Sequence, residues 1–416
     1  MSILMFLFFI SSIVLTIILK FPQLKIFRVI KKCKNKNVKQ MFYLSLATNL
    51  GVGNLIGVSS ALYYGGPGVI FWMAIFAFFS SSFAYLETKY SILSKVIIDN
   101  EQRTGTCYTI RKFINNKVGI SISIIFAVML LLTNSIFFPP IQVNAIINIF
   151  DHRYQLIFGI ILFLLIAIIT IKGIKMILKI TDILIPYASV AYSILIIYLI
   201  LCNYHTLLPT LKLIINSAFN VKSIGISGVL LCIQTAINKS LFSNEAGLGT
   251  MPSLLGEASV THVEEVSNYQ MLSVIVDTVV LCTLTGIFIL QNHTLDGNVT
   301  LIFVESMTNS IGNIGLVISN IFIFIFGFSS IIGQFYLGES NALFFKKYYN
   351  INLKFIFNIL FYIGIVIGIF LTFESVNKIL DVGMVLLGLI NILVIFVIRN
   401  KEKNNKKTWR KFLLMI

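Results

Sequence analysis

Charge is scarce in this chain of 416 residues: Asp, Glu, Lys and Arg together make up 12%, against 57% hydrophobic residues. A mean hydropathy of +0.93 lies far outside the range of soluble globular proteins. Histidines are few as well (His152, His205, His262, His293), all in expected loops or span ends, with no HExxH spacing. No GxSxG motif is present, and no pair of aspartates sits at helical spacing within one apolar run. Without a nucleophile elbow, a zinc pair or a paired-carboxylate site, an enzyme is not expected. The five cysteines (Cys33, Cys107, Cys202, Cys232, Cys282) form no CxxC pair, which argues against a zinc site or a disulfide framework. Cys33 and Cys107 fall in expected cytoplasmic loops, where thiols stay reduced.

What fills the chain instead is apolar sequence. Runs of about 18 or more such residues read as helices that cross a bilayer core of about 30 Å. Lipid offers no hydrogen-bond partners, so spans must be helices or a closed barrel. A barrel would alternate apolar and polar residues. "LIFGIILFLLIAIITI" (156–171) is apolar on every face, so the spans are helical.

The net charge of +16 does not point to nucleic acid, because of where it sits. Eight basic residues lie between Lys20 and Lys39 and seven between Arg399 and Lys411, flanking apolar runs as cytoplasmic loops do. No soluble domain is long enough to carry a nucleic-acid site. The opening "MSILMFLFFISSIVLTIIL" lacks a basic n-region and a cleavage site, and its charges follow the apolar run. It reads as a retained first span (1–20) with its N-terminus outside. Further spans are expected near 40–63, 68–95, 118–149, 155–171, 179–202, 224–249, 267–291, 313–343, 355–373 and 380–398, giving about eleven in all. Lys172, Lys175, Lys179, Lys346, Lys347, Lys354 and the tail 399–416 then fall in the cytoplasm. One loop dissents, since 250–266 carries Glu257, Glu264 and Glu265 without a lysine or arginine, but acidic residues weigh little in this rule. The polar stretches 99–117, 203–223 and 292–312 are loop-sized, so the whole chain 1–416 reads as one membrane domain.

Two spans are interrupted alike, at "LATNLGVGNLIG" (46–57) and "KSLFSNEAGLGT" (239–250). Paired glycine-rich interruptions in corresponding halves point to a transporter built from inverted repeats. A broken helix offers amides at one half-helix start, which favour a carboxylate, and carbonyls at the other end, which favour a cation. The competing reading is close helix packing through small residues, and the polar amide beside each glycine pair tips the balance against it.

At "GVGN" (51–54), "YGGPGVIFW" (64–72) and "LFSNEAGLGT" (241–250) the chain resembles the alanine or glycine:cation symporter family. "IKMILKITDILIPY" (174–187), "IVDTVVLCTLTGIFIL" (275–290) and "FGFSSIIGQFYLGE" (326–339) extend the likeness from about Ile13 to Ile398. The resemblance implies an all-α leucine-transporter-type fold. Two inverted repeats of five helices, 39–202 and 224–398, would follow one extra N-terminal helix. It further implies sodium-driven uptake of alanine or glycine across the plasma (inner) membrane, with no obligate protein partner.

The residues fit that chemistry. Amides of Gly51, Val52 and Gly53 can meet a substrate carboxylate, and Thr48 can add a hydroxyl. Carbonyls around Phe242 and Ser243 can hold the ammonium, and Asn244 offers both a donor and an acceptor. By the resemblance Gln142 is a pocket wall, while Asn144 serves equally well as an interhelical bond. The adjacent hydroxyls of Ser329 and Ser330 resemble a sodium site completed by carbonyls of Ala47, Leu50 and Phe326. Serines that bond back to their own helix are the competing reading. Glu245 is expected to face the bundle as a gating or structural group, with Lys239 as one possible partner, and Asn54 shares that role. Glu87, Asp277 and Glu339 match acidic family positions and are expected to pack or gate.

Departures from the family matter too. Gln334 stands where the family has tryptophan, which opens the pocket to a larger or more polar substrate. Lys239 replaces an arginine and loses its bidentate contacts. "TGTCYTI" and Ile390-Asn391 replace Gly-Gly-Pro and Pro-Asn motifs. A channel would need pore-lining repeats or charge rings, which are missing. The rivals to a sodium-coupled importer by alternating access are a proton-coupled or substrate-shifted carrier and a transporter-derived sensor.

Overall fold

The structure, a computed structural model, describes residues 2–26, 36–257 and 263–404. Cys33, His262, the basic residues from Arg28 to Lys34 and the tail beyond Asn404 lie outside the described residues. Apart from one small hairpin, β1 (Val96–Ile98) paired antiparallel with β2 (Glu101–Arg103), the described regular structure is helical. Among the described residues, seven helices are long and apolar enough to cross a membrane, and three shorter apolar ones accompany them (Leu4–Ile18, Gln155–Ile171, Lys354–Phe370). The protein is an all-α membrane protein.

Helix α1 (Ser2–Ile18) packs against α4 (Val69–Leu93) through a stripe of small polar residues. Thr16 and Ser82 share a hydrogen bond of 2.7 Å, and the Gln23 amide donates to Ser82 Oγ at 2.8 Å and to the Phe78 carbonyl at 2.9 Å. Small side chains let two helices approach closely, and the hydroxyls then have no water to prefer.

Helix α2 (Lys36–Asn49) stops at the first interruption, a short turn follows, and α3 (Ile56–Gly65) resumes the helix. The described hairpin and α5 (Thr106–Phe113) come next. Here the structure corrects an expectation: Cys107 is not in a solvated loop but fully buried, with Tyr108 stacked edge-on against Phe344 and donating to the Ser340 carbonyl. The polar-looking "TCYTI" is an amphipathic turn, burying its Thr, Cys and Tyr while Arg111 and Lys112 end the helix.

Helix α6 (Lys117–Leu132) runs through a π-turn (Thr133–Phe137) into α7 (Pro139–Ile147), where Pro139 and Pro140 occupy the first turn. That placement removes amides a helix start leaves unpaired anyway. Helices α8 (Gln155–Ile171), α9 (Ile174–Cys202) and the amphipathic α10 (Tyr204–Ala218) follow, so the stretch 203–223 is largely helical and not a plain loop. Helix α8 keeps Leu156, Ile157, Ile160, Ile161, Leu164 and Ile168 exposed. In water such a patch would associate, and in a bilayer it is the lipid face.

Helix α11 (Val221–Asn244) carries a kink at Gly225 and ends at the second interruption, followed by a 3-10 segment (Met251–Glu257). Helix α12 (Val263–Val274) opens with Glu264 and Glu265, where carboxylates favour a helix start. It continues through a π-segment (Ile275–Cys282) into α13 (Thr283–Asn292). Helices α14 (Ile302–Ile311), α15 (Asn313–Tyr349), α16 (Lys354–Phe370) and α17 (Phe373–Asn404) complete the chain. The middle of α15 is buried on all sides from Phe326 to Phe345, which makes it a central post of the bundle.

Candidate functional site

Both interruptions fall at one buried place. At the first, Gly51 has an extended backbone and Val52–Asn54 form a single 3-10 turn. A side chain on Gly53 would lie 3.2 Å from the Ser243 Cα, so the first break rests directly on the second. Any side chain there would force its neighbour to give by a few tenths of an ångström, so glycine suits the approach. Likewise a Cβ on Gly51 would meet the Gln142 carboxamide and the Ser330 Cβ, each at 3.1 Å. One break, α7 and α15 therefore converge on Gly51.

The Val52 amide donates to Gln142 Oε1 at 3.0 Å, which places Gln142 at the first break. Thr48 is buried, within 3.3 Å of where a Cβ on Gly333 would stand, which sets it beside α15. Phe242 is buried against Gly57, Gly53 and the Phe138 ring. Helix α2 ends at Asn49, with the Leu50 amide donating back to the Leu46 carbonyl at 2.8 Å, so Ala47 and Leu50 stand at the break. Ser329 and Ser330 are buried on α15. Ser329 donates to the Phe326 carbonyl at 3.0 Å, the back-bonded state available to a helical serine, while Ser330 touches the Gly51 position.

The second break is braced by side chains from several helices. Glu245 has a left-handed backbone (φ 52°), a strained state for a residue with a Cβ. Its carboxylate accepts from Gln334 Nε2 at 2.8 Å and from the Thr250 hydroxyl. Lys239, expected as a partner, turns elsewhere: its ammonium donates to Asn377 Oδ1 at 2.6 Å on α17. Asn244 donates to Thr278 at 2.9 Å and Ser240 at 3.1 Å, and accepts from the Ala246 amide at 3.0 Å. It thus fixes the turn that follows the broken helix end. Gly249, at φ 72°, donates its amide to Glu87 Oε1 at 3.2 Å. Asn391 on α17 bonds the same carboxylate oxygen and the Gly247 carbonyl.

Asn54 and Ser243 share one partner, Asp277 in the π-segment. Asn54 Nδ2 donates to Oδ1 at 2.8 Å, Ser243 Oγ to Oδ2 at 2.6 Å, and Thr278 Oγ1 to Oδ2 at 2.8 Å. Of the other residues singled out, Asn144 bonds the Gly368 and Leu371 carbonyls across to α16, and Glu339 pairs with Lys354. Both act between helices. A cleft of about 770 Å³ begins beside Asn144 and is bordered by Tyr64, Asn148, His152, Thr300 and Glu374. Among the described residues no cluster of three or more His, Cys, Asp or Glu could hold a metal ion.

Sequence reasoning missed the bracing pairs Glu87–Asn391 and Glu245–Gln334 and the partners Thr250 and Thr278. The signal for Asp277 and Glu87 was present: a carboxylate inside an apolar span is a functional position by default.

Helices that break at mid-bundle, stacked on one another and lined with amides, hydroxyls and carboxamides, define a carrier-type membrane protein. The whole-length match is to the family described as the sodium:alanine symporter family, over residues 1–413, and the chain belongs to that family. It is 28% identical over 93% of its length to the amino-acid carrier protein AlsT of Bacillus subtilis, covering 84% of that protein. It is 29% identical over 86% of its length to the probable sodium/glutamine symporter GlnT of Bacillus subtilis, covering 75% of it. A putative sodium/proton-dependent alanine carrier protein, YrbD of Bacillus subtilis, is 28% identical over 73% of this chain and 66% of its own length. Membership makes this chain a cation-coupled amino-acid transporter of the membrane and not an enzyme.

Proposed function

We propose that the protein imports a small neutral amino acid, alanine or glycine, on an inward sodium gradient by alternating access. One observation carries this reading: Gly53 of the first break lies against Ser243 of the second, so donors and acceptors of opposite preference meet at one buried point. A zwitterion needs both in a dry place. In this reading the carboxylate lies at Gly51, Val52 and Gly53, with Thr48 and Gln142 beside it and Gln334 at the cytoplasmic edge. The ammonium lies at Phe242, Ser243 and Asn244. Sodium sits between Ser329, Ser330 and the carbonyls of Ala47, Leu50 and Phe326. Asn54, Lys239 and Glu245 hold or gate the breaks.

The architecture proposed with it is an extra span (1–20), inverted repeats at 39–202 and 224–398, and a basic cytoplasmic tail (399–416), with the N-terminus outside the plasma (inner) membrane. The cleft beside Asn144 and Tyr64 then opens outward, at the outer end of the first broken helix, and serves as the entry path. The bracing supports a repeat relation. The helix after the first broken one supplies Glu87 to the second break, and the helix after the second supplies Asp277 to the first.

A second reading has its own support. Gln334 Oε1 is buried without a hydrogen-bond partner while its amide holds Glu245. That acceptor fits a substrate with an additional donor, and relatives bear the names of a glutamine symporter and a sodium/proton-dependent carrier. Uptake of labelled alanine, glycine and glutamine into proteoliposomes under a sodium gradient, a proton gradient or neither separates the readings. Sodium-driven alanine or glycine accumulation is the expected result. Glutamine preference or accumulation on protons alone would replace it with the second reading.

A further inference from the structure

Helix α1 supplies nothing to the site described above, yet one of its side chains reaches the second break. Phe8 is buried, and its ring lies between two glycines. A Cβ on Gly247 would stand 2.6 Å from Phe8 Cε1 and 2.7 Å from Cζ, while a Cβ on Gly388 of α17 would overlap Cε2. The two glycines thus meet opposite edges of one ring tip, and a side chain on either would displace it. Phe76 and Phe83 of α4 flank the same ring, with centroids 6.1 Å and 5.8 Å away, so it has little room to swing aside.

Each of these contacts falls at or one turn from a bracing group. Gly388 precedes Asn391 by three residues and Phe83 precedes Glu87 by four, spacings that put each pair on one helix face. Asn391 donates to the Gly247 carbonyl at 2.8 Å and to Glu87, which also accepts from the Gly249 amide at 3.2 Å. The ring therefore rests on all three elements that the Glu87–Asn391 pair ties together: α4, α17 and the turn after the second broken helix. Close-packed interiors pass a displacement on, whereas a void absorbs it. With the ring in place, a shift of the turn presses on α17 and α4. Without it, the turn can shift alone.

We propose that Phe8 is a positioning residue for transport: it wedges the joint between the second break, α4 and α17, so that movement of the broken helix is passed to α17. Helix α1 is then a moving part of the carrier as well as an added span. The proposal rests on the alternating-access reading but not on which amino acid or cation is carried.

Two measurements on the purified full chain test it, and one of them does not depend on transport. The variants are Phe8→Leu, which removes the ring tip, Gly388→Ala, which pushes the ring aside, and the two together. The methyl at 388 would take the space the ring tip leaves, so the double change refills the joint. Uptake of labelled alanine and glutamine into proteoliposomes under a sodium gradient is counted per folded transporter. Each single variant is expected to show a kcat about tenfold lower at an unchanged KM, with most of the loss regained in the double variant. A side chain that only added stability would lower the amount of folded protein and leave kcat per molecule unchanged, and that result overturns the proposal. Additive losses in the double variant overturn it too. Amide hydrogen exchange is the second measurement. In Phe8→Leu the segments around Gly247–Gly249 and Gly388–Asn391 are expected to exchange about tenfold faster than in wild type, and the double variant to return toward it. Exchange that quickens in α1 alone overturns the wedge even in a preparation that carries neither amino acid. Faster exchange at both segments in such a preparation supports the wedge and lays the failure on the transport reading.

Discussion

The two interrupted helices are built differently: the first break is an open, neutral turn, whereas the turn that follows the second broken helix is braced from several sides. The first break is neutral in its own sequence, Gly51-Val52-Gly53-Asn54, and regular helix stands on both sides. Its backbone is accessible to side chains: one carboxamide, Gln142, takes the Val52 amide, and Ser330 abuts Gly51. The second break carries Glu245 and three left-handed residues, Glu245, Gly247 and Gly249. Its polar backbone groups are met by Asn244, Glu87 and Asn391, and its carboxylate by Gln334 and Thr250. A segment whose backbone is left to side chains that can move aside is fit to bind. One whose strained backbone is pinned from three helices is fit to hold shape.

Substitutions that attack the bracing should therefore cost stability, and those at the first break should cost affinity. The largest stability loss is expected for Gly249→Ala. Its φ of 72° strains any side chain, and the new Cβ would stand 2.8 Å from Asn391 Oδ1 and 2.9 Å from the Phe126 ring. Strain and overpacking together amount to about 3 kcal/mol or more, read as a fall in unfolding temperature. Glu87→Ala comes next, because it strips the Gly249 amide and Asn391 of an acceptor where water is excluded, at about 1–3 kcal/mol. Glu87→Gln keeps one oxygen acceptor and is expected to lose less than the alanine change by the same measurement. Gly66→Ala isolates the backbone strain: its backbone (φ 70°, ψ 179°) lies in a region kept almost entirely for glycine, but nothing lies within 4 Å of the new atom. It is expected to cost about 1–3 kcal/mol, less than Gly249→Ala, and a loss as large as that of Gly249→Ala would show that packing around the second break contributes nothing.

Much of this was legible in the sequence because it is local. Apolar runs, basic flanks and the glycine-rich interruptions are short-range signals, and they located both breaks and the helical class. The serine pair and Gln142 were singled out through the family resemblance, and Ser330 and Gln142 lie against the first break. What the sequence did not disclose depends on distant contacts. Glu245 meets Gln334 and not Lys239, because six residues along an unwinding helix do not return to the same side, whereas α15 passes directly beside it. Glu87 and Asn391 come together from opposite ends of the chain. The buried turn around Cys107 was obscured by its composition, since Thr, Cys and Tyr read as polar when their hydroxyls and thiol satisfy themselves inside the bundle. The π-segments at Thr133–Phe137 and Ile275–Cys282 carry no sequence signature of their own beyond the prolines that follow the first.

The most direct test sets one glycine from each break side by side. Gly51→Ala places a methyl between the break, Gln142 and Ser330, on a backbone (φ −124°) that alanine adopts freely. Alanine uptake and unfolding temperature would be measured for Gly51→Ala and Gly249→Ala in the same proteoliposome and detergent preparations. Gly51→Ala is expected to raise the KM for alanine about tenfold or more, with a small change in unfolding temperature. Gly249→Ala is predicted to lower that temperature markedly while the fraction that stays folded keeps a near-normal KM. A normal KM in Gly51→Ala, or a KM raised only in Gly249→Ala, would contradict the proposal that the substrate carboxylate sits at the first break while the turn from Glu245 to Thr250 serves to brace the second.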